Sequence, residues 1–343
     1  MKAGNLNKVS VIIPIFRVEA FIERCARSLM EQTLGEAEFI FVDDCSPDGS
    51  MTILERVLSD YPQRQGQVRI FHHQENRGLP AARNTGLAAA TGEYIFHCDS
   101  DDYMERHALE SMYQTAIRQD ADIVYTDWYF DVSPALSHTA AGRSRYMHCP
   151  AYANPREALS GLLHGTMKFN VWNKLVRRSL YQSLHEVPPA GGGSKGPFPE
   201  GHSMGEDMTM ILLFAKAQRI AYLPKATYHY VRQNENAFTA TRRTATEGFY
   251  DDLSYNAQRI ITALEGTVPA VDLACFKLNV KYPFLISTHR EDYERWQQWF
   301  PEANKFIHCH RVSRRARLLE QCASRHLFLP LRLHCHLLQR LQG

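Results

Sequence analysis

An α/β layered domain with a mainly helical region behind it is the fold class this sequence predicts, and three observations carry the prediction. Apolar runs of strand length alternate with amphipathic stretches of helix length through the first third of the chain. Those runs are apolar throughout rather than at every second residue, the mark of strands covered on both faces. Acidic residues stand where two of the runs stop, and ligands of open α/β sheets bind beyond the carboxyl ends of the strands.

The elements follow in order. KVSVIIPIF (8–16) reads as a buried strand, and EAFIERCARSLMEQ (19–32) as an amphipathic helix with Ile22, Ala26, Leu29 and Met30 on one side. AEFIFVDD (37–44) is a second strand, and SMTILERVLSDYP (50–62) a second helix stopped by Pro62. VRIFHH (68–73) is a third strand. PAARNTGLAAAT (80–91) is a helix with Pro80 near its first turn, ended by Gly92. EYIFHCD (93–99) is a fourth strand, and ADIVYTDWYF (121–130) another after an intervening helix. Continuous apolar strands separated by helices of about 10–15 residues predict a mostly parallel sheet flanked by helices.

VPPAGGGSKGPFPEGHSMGED (187–207) is rich in Gly and Pro and predicts a long, mobile loop, a common place for lids and substrate loops. It leads into DMTMILLFAKAQ (207–218), an amphipathic helix. Beyond about residue 240 the pattern is mostly helical. The last stretch, 311–343, sets Arg311, Arg314, Arg315, Arg317, Arg325, Arg332 and Arg340 against a single acid, Glu320. The expected division is residues 1–240 as one domain, with a first half (8–130) and a second half (131–240), and 241–343 as a helical extension with a basic tail.

The 343 residues are enough to bury a sizeable core, and 44% hydrophobic with 22% charged residues is ordinary for a soluble globular chain. A net charge of +2 discriminates little between partners, and no motif calls for nucleic acid. Eight scattered cysteines without a C-x-x-C pair read as reduced thiols. VSVIIPIF is too short for a secretory signal and contains Pro14, and no apolar run reaches the roughly 18 residues of a transmembrane helix. A cytoplasmic protein is expected. The arginines of 311–343, interleaved with Leu and Phe, also suit the anionic inner face of a membrane, although Pro330 interrupts that helix.

Chemistry is sought at the strand ends. In HCDSDDYM (97–104), Asp99, Asp101 and Asp102 crowd together, and clustered carboxylates need a cation or a proton to coexist. Hard divalent ions take oxygen ligands, often one or two carboxylates plus substrate phosphates, so a D-x-D suits a metal-bound diphosphate. The simpler alternative is a solvated turn whose aspartates cap the next helix.

In chain order, VSVIIPIFRVEAFIERCARSL, EFIFVDDCSPDGS, ENRGLPAARNTGLAAATGEYI and HCDSDDYM resemble the successive signatures of family 2 glycosyltransferases with the GT-A fold. VWNKLVRRSLY, MGEDMTMILLF and ATYHYVRQNENAFT resemble the second half of the bacterial enzymes that build capsule, O-antigen or lipopolysaccharide. The resemblance spans roughly residues 8–240. It implies a nucleotide-diphospho-sugar donor, with UDP favoured, a divalent Mn²⁺ or Mg²⁺, and a saccharide or lipid-linked saccharide acceptor.

Site residues carry over position by position. Pro14, Ile15, Phe16 and Glu19 would border the nucleotide. Phe16-Arg17 stands where the family usually has Tyr-Asn, which points to backbone contacts there. Asp44 would accept the uracil N–H, with Asp43 as the alternative, and Cys45 replaces the family's usual Gly. Gly78 and Arg83 match N-x-G…A-R-N, and Arg83 would reach the base or a phosphate; a helix arginine paired with a nearby acid is the structural alternative. Asp99 would meet the ribose or a metal-bound water, Ser100 would border the nucleotide sugar, Asp101 would hold the metal (with Asp99 as a possible second ligand), and Asp102 would orient the loop. Asp207 of GED matches the catalytic base at a helix start, where the dipole favours a carboxylate, and Glu206 is a candidate for acceptor or diphosphate contact; first-turn acids that only complement the dipole are the structural alternative for both. Trp172, Asn173 and Lys174 are candidates for acceptor or diphosphate contact, Trp172 alternatively for the core. His229 would approach the phosphates or serve as a structural histidine.

Other classes fit less well. A Rossmann dehydrogenase needs G-x-G-x-x-G after the first strand, where this chain has PIFRVE, and GGGSKG lacks P-loop spacing. A processive membrane synthase needs transmembrane helices and Q-x-x-R-W, against RWQQW here. The remaining alternative is an inactive sugar-binding or scaffolding relative. The HCH triplets at 308–310 and 334–336 are poor tetrahedral metal sites.

Overall fold

The computed structural model describes residues 7–132, 143–184, 196–232, 247–287 and 289–328. They group into two compact units, Met1–Pro155 with Asn170–Asp252, and Arg156–Phe169 with Leu253–Gly343.

The first unit is built on a nine-stranded sheet of order β3-β2-β1-β4-β8-β6-β9-β5, with β7 pairing β6. Its N-terminal half matches the expected pattern. β1 (Val9–Ile15) and β2 (Ala37–Asp43) are buried at every residue, and with β3 (Val68–His72) and β4 (Tyr94–His97) they run parallel. Helices α1 (Ile22–Met30), α2 (Ser50–Ser59) and α3 (Leu79–Ala89) make the crossovers. Ile22, Cys25, Ala26, Leu29 and Met30 form the buried stripe of α1.

The other half is mixed. After α4 (Ala108–Gln119), β6 (Ile123–Val132) pairs antiparallel with β7 (Arg143–Met147) and β8 (Lys174–Arg177) and parallel with β9 (Ile220–Val231). The short β5 (Tyr103–Met104) closes on β9, so the acidic turn after β4 is tied directly to the far end of the sheet. Two helices, α6 (Arg178–Leu184) and α7 (Gly205–Lys216), complete this half. Of the Gly/Pro-rich segment expected as one mobile loop, residues 185–195 lie outside the described residues, whereas Phe198 is fully buried.

The second unit is helical: α5 (Pro155–Leu163), α8 (Glu247–Leu264), α9 (Ala270–Lys281), α10 (Arg290–Gln298) and α11 (Arg314–Ser324). A single break at residue 240 was expected, yet residues 156–169 group with this unit. The reason is local bonding: Asn279 donates to the Leu163 carbonyl at 2.7 Å, and His164 meets Asp272 at 2.8 Å. His310 is fully buried between Glu320 (2.7 Å) and Asn279 (2.9 Å) whereas His308 is exposed; the triplet at 334–336 lies outside the described residues. No helix among the described residues is long and apolar enough to cross a membrane.

Candidate active site

The carboxyl ends of β1, β2 and β4 and the first turns of α3 and α7 carry the expected residues. Pro14 and Ile15 are buried in β1, and the Ile15 carbonyl accepts from the Asp44 N–H at 3.0 Å. Phe16 is 38% exposed. Arg17 and Cys45 adopt left-handed backbone, φ 54° and 57°, at the two positions where Asn and Gly were the expected types. Asn and Gly enter that region at least steric cost, so these turns carry residues less suited to it.

Glu19 accepts from the Gly49 N–H at 3.0 Å and so fastens the β1 turn to the start of α2. Asp44 is enclosed: its carboxylate accepts from the N–H groups of Arg77 (2.9 Å) and Gly78 (2.8 Å) and meets His73 at 2.6 Å. Asp43 accepts from the Ser46 N–H at 2.9 Å and keeps 12% of its side chain exposed against 4% for Asp44, which makes it the more accessible of the pair. A cleft of about 690 Å³ opens beside these turns, lined by Arg17, Glu19, Ala20, Phe21, Pro47, Asp48 and Ile53; it does not take in the acids beyond β4.

Around the D-x-D-D turn each acid has its own task. Arg83, 1% exposed on α3, donates from Nη2 to Asp99 at 2.7 Å, while its Nε and Nη1 are buried without a partner among the described residues. Arg83 thus makes the ion pair with a nearby acid that was the structural alternative, and Asp99 keeps 27% of its side chain exposed. Asp102, 1% exposed, accepts from the Tyr228 hydroxyl and the Val231 N–H, both at 2.7 Å. The Tyr228 oxygen in turn accepts from the Asp99 N–H at 3.0 Å, so Asp102 and Tyr228 lock the loop to β9. Burial, with Asp101 and Asp99 nearby, raises the Asp102 carboxyl well above the ordinary range. Ser100 is buried and Asp101 partly exposed.

The V-W-N-K segment is more internal than expected. Trp172 is 8% exposed and stacks on Tyr228 (4.8 Å) and Tyr230 (5.2 Å). Asn173 donates to the Thr126 carbonyl at 2.7 Å and accepts from Lys174 at 2.8 Å; both are 1% exposed. Lys174 still counts electrostatically. Burial pulls its ammonium down to about 8, with Asp207 among the groups resisting. His229 is a satisfied structural histidine between Asp131 (3.1 Å) and Glu105 (2.9 Å).

Asp207 lies in the first turn of α7, partly exposed, with no side-chain hydrogen bond among the described residues. Burial first, and then the adjacent buried Glu206, push its carboxyl up to about 7; Arg83 opposes this, Asp99 adds to it, and Lys174 opposes. Burial works to neutralise Arg83, but Asp99, Glu206 and Asp207 together hold it above the ordinary arginine value. Asp207 and Asp99 thus share one electrostatic site, with Arg83 between their influences. Among the described residues no three His, Cys, Asp or Glu side chains converge into a closed metal-ligand set.

Residues 10–180 match Glycosyl transferase family 2. The chain belongs to that family. Among its relatives, uncharacterized glycosyltransferase EpsJ of Bacillus subtilis strain 168 is 33% identical over 234 residues, 67% of this chain and 62% of EpsJ. Glycosyltransferase GlyG of Streptococcus pneumoniae serotype 4 is 26% identical over 236 residues, 66% of this chain and 71% of GlyG. The fold matches that of S. aureus TarS 1–349 in complex with UDP-GlcNAc, with a TM-score of 0.67, 21% identity, and 93% and 89% of the two chains covered. This family 2 chain has the GT-A fold with a helical C-terminal part, and it spans under two thirds of EpsJ.

Proposed function

We propose that this family 2 protein moves a sugar from a UDP-sugar, with inversion, to a hydroxyl of a cell-surface saccharide precursor of the lipopolysaccharide, capsule or O-antigen type. The observation that carries the reading is Asp207: a carboxylate with open lone pairs, near neutral pKa, sharing a site with Asp99. A general base works best with a pKa close to the operating pH. Asp207 takes the proton of the acceptor hydroxyl. The oxygen attacks the anomeric carbon opposite the diphosphate, and the bond to the diphosphate breaks. The UDP-GlcNAc complex of TarS supports the donor class.

The turn beyond β4 suits a hard divalent ion such as Mn²⁺ or Mg²⁺. Its donors are carboxylate oxygens, and Asp101 and Asp99 both act on the raised Asp102 carboxyl. Asp101 would hold the ion, with Asp99 second, and a bound ion supplies charge neutralisation for the diphosphate. The nucleotide base lies against the turns of Asp43, Asp44 and Gly78, with Pro14, Ile15 and Phe16 beneath and Ser100 towards the ribose. Trp172 supports this wall from behind. Exposed Arg311, Arg314, Leu318, Arg325 and Leu327 offer an anionic lipid surface a basic, apolar contact, consistent with a lipid-linked acceptor at the inner face of the cytoplasmic membrane; residues 329–343 of the tail lie outside the described residues.

The test is a panel of nucleotide sugars assayed with and without Mn²⁺ or Mg²⁺ for transfer, hydrolysis and thermal protection. One UDP-sugar should be turned over in a metal-dependent way, and Asp207→Asn should lose about 10²–10⁴-fold in rate while still binding UDP. Equal turnover by wild type and Asp207→Asn would refute the assignment.

A further inference from the structure

Asn84, the last residue of A-R-N, is 7% exposed and bonds both backbone groups of one residue. Its Nδ2 donates to the Phe198 carbonyl at 2.8 Å, and its Oδ1 accepts from the Phe198 N–H at 3.2 Å. The same Nδ2 lies 3.1 Å from Glu200 Oε1, and Glu200 Oε2 accepts from Arg77 at 2.8 Å. The approach is close enough to require glycine at 196, where an added Cβ would fall 2.2 Å from Asn84 Oδ1.

The segment is also fixed from below and ahead. Phe198 is fully buried, edge-on to His97 at 5.4 Å and against Tyr181 at 5.9 Å. His97 ends β4, just before Asp99. The Thr209 hydroxyl on α7 bonds the Gly205 carbonyl at 2.6 Å and reaches the Pro197 carbonyl at 3.4 Å. Residues 196–200 are therefore held by the donor turn, α3, the end of β4 and α7, the helix that bears Asp207.

We propose that residues 196–200 form a bracket that sets the catalytic base against the donor, with Asn84 and Glu200 as its positioning residues; this rests on the reading of Asp207 as base. Apolar packing alone would anchor a loop without directing it. Here a buried amide holds the two peptide groups on either side of Phe198 at once. Glu200 continues the connection to Arg77, whose N–H, with that of Gly78, holds Asp44. Order at the nucleotide turn is thereby passed to the first turn of α7. Misplacing a reacting group by about 1 Å costs on the order of 10²-fold in rate, so the bracket acts on turnover rather than on donor affinity.

The experiment compares Asn84→Ala and Glu200→Gln in the full chain, each alone and combined with Asp207→Asn. The donor is the nucleotide sugar selected by the panel, and UDP affinity is read separately by thermal shift. Asn84→Ala should lower kcat about 10–100-fold with donor KM and UDP affinity within about threefold, and should have little further effect once Asp207 is Asn, because residues acting through one group are non-additive. A rise in donor KM with kcat unchanged would overturn the proposal, as would the same full loss in the Asp207→Asn background. Where Asp207→Asn turnover is too slow to read, the split between kcat and UDP affinity decides. If Asn84→Ala does not fold, Glu200→Gln, at a side chain 26% exposed, reads the same split. Equal turnover by wild type and Asp207→Asn would sink the base assignment itself, an outcome distinct from failure of the bracket alone.

Discussion

The acids of β6 and Asp207 at the start of α7 look alike in the sequence and behave in opposite ways in the fold. Asp127 accepts from the Cys149 N–H and the Tyr222 hydroxyl, both at 2.7 Å, and from the Tyr146 hydroxyl at 2.9 Å. Asp131 accepts from the hydroxyls of Tyr103 (2.7 Å) and Ser144 and pairs with His229, whose ring is stacked between Tyr103 (4.1 Å) and Tyr129 (4.5 Å). These acids join β5, β6, β7 and β9 into a saturated hub. Asp207 has charges around it, of both signs, and open lone pairs. A satisfied buried carboxylate is architecture; one raised towards neutrality by burial and like charge, with room to accept, is a reagent.

The largest effects should separate the two sets completely. Asp207→Asn should abolish nearly all transfer, by about 10²–10⁴-fold, without lowering the melting temperature. Asp131→Ala should do the reverse in stability, because it leaves the Tyr103 and Ser144 hydroxyls without their acceptor and takes one of two acidic partners from His229; breaking such a buried pair costs about 3–5 kcal/mol. Calorimetry beside a transfer assay checks both. A stable Asp131→Ala protein would dissolve the distinction.

The pH dependence of the two acids should also be opposite in sign. Asp207 is raised from an ordinary 3.8 to about 7 in the folded chain, so the folded state holds the extra proton between those values. Its contribution to stability therefore falls as pH rises from about 4 to about 7 and does not return above that. Burial also opposes the Asp131 charge, but hydrogen bonds from His229, Ser144 and Tyr103 outweigh it and lower the carboxyl. Its contribution is present above the ordinary aspartate value and is lost as pH falls through the folded one. Relative to wild type, Asp207→Asn should gain melting temperature from pH 4 to pH 8. Transfer should rise with pH through about 7, an apparent value belonging to the Glu206–Asp207 pair, and Glu206→Gln should move that limb to lower pH. An unmoved limb would remove Glu206 from the account.

Much of this was legible in the chain itself. Unbroken apolar runs marked β1 to β4, and the acids at their ends marked the candidate site. The role of each acid was less legible, because it depends on partners that local pattern does not connect. Asp102 is structural through Tyr228 and Val231, and Asn173 through Thr126. Asn173 and Lys174 looked functional beside Trp172 because the segment is short and polar; their burial follows from β8 lying between β4 and β6, an antiparallel insertion that strand-helix alternation does not announce. The Asp127–Asp131 hub had one available signal, two acids four residues apart in an otherwise aromatic strand. Asn84 had none beyond its place in A-R-N.

The smallest expected effect concerns backbone strain at the end of β2. Cys45 sits at φ 57° with an exposed side chain, its thiol only 3.8 Å from the Gln74 carbonyl. A left-handed non-glycine residue carries roughly 1–2 kcal/mol of strain, and glycine returns about 0.4–1 kcal/mol of that through the freer unfolded chain. Cys45→Gly should therefore stabilise by roughly 0.5–1 kcal/mol, about 1–4 °C in melting temperature, with UDP affinity unchanged. Asp120 is the control. It is also left-handed, at φ 43°, but aspartate tolerates that region better, and its carboxylate pairs with Arg177 at 2.9 Å and with Arg219. These exposed pairs are worth about 0–1 kcal/mol each, so Asp120→Gly should gain nothing or lose slightly. Equal gains at both positions would show that backbone strain alone, and not what the side chain holds, decides the outcome at these turns.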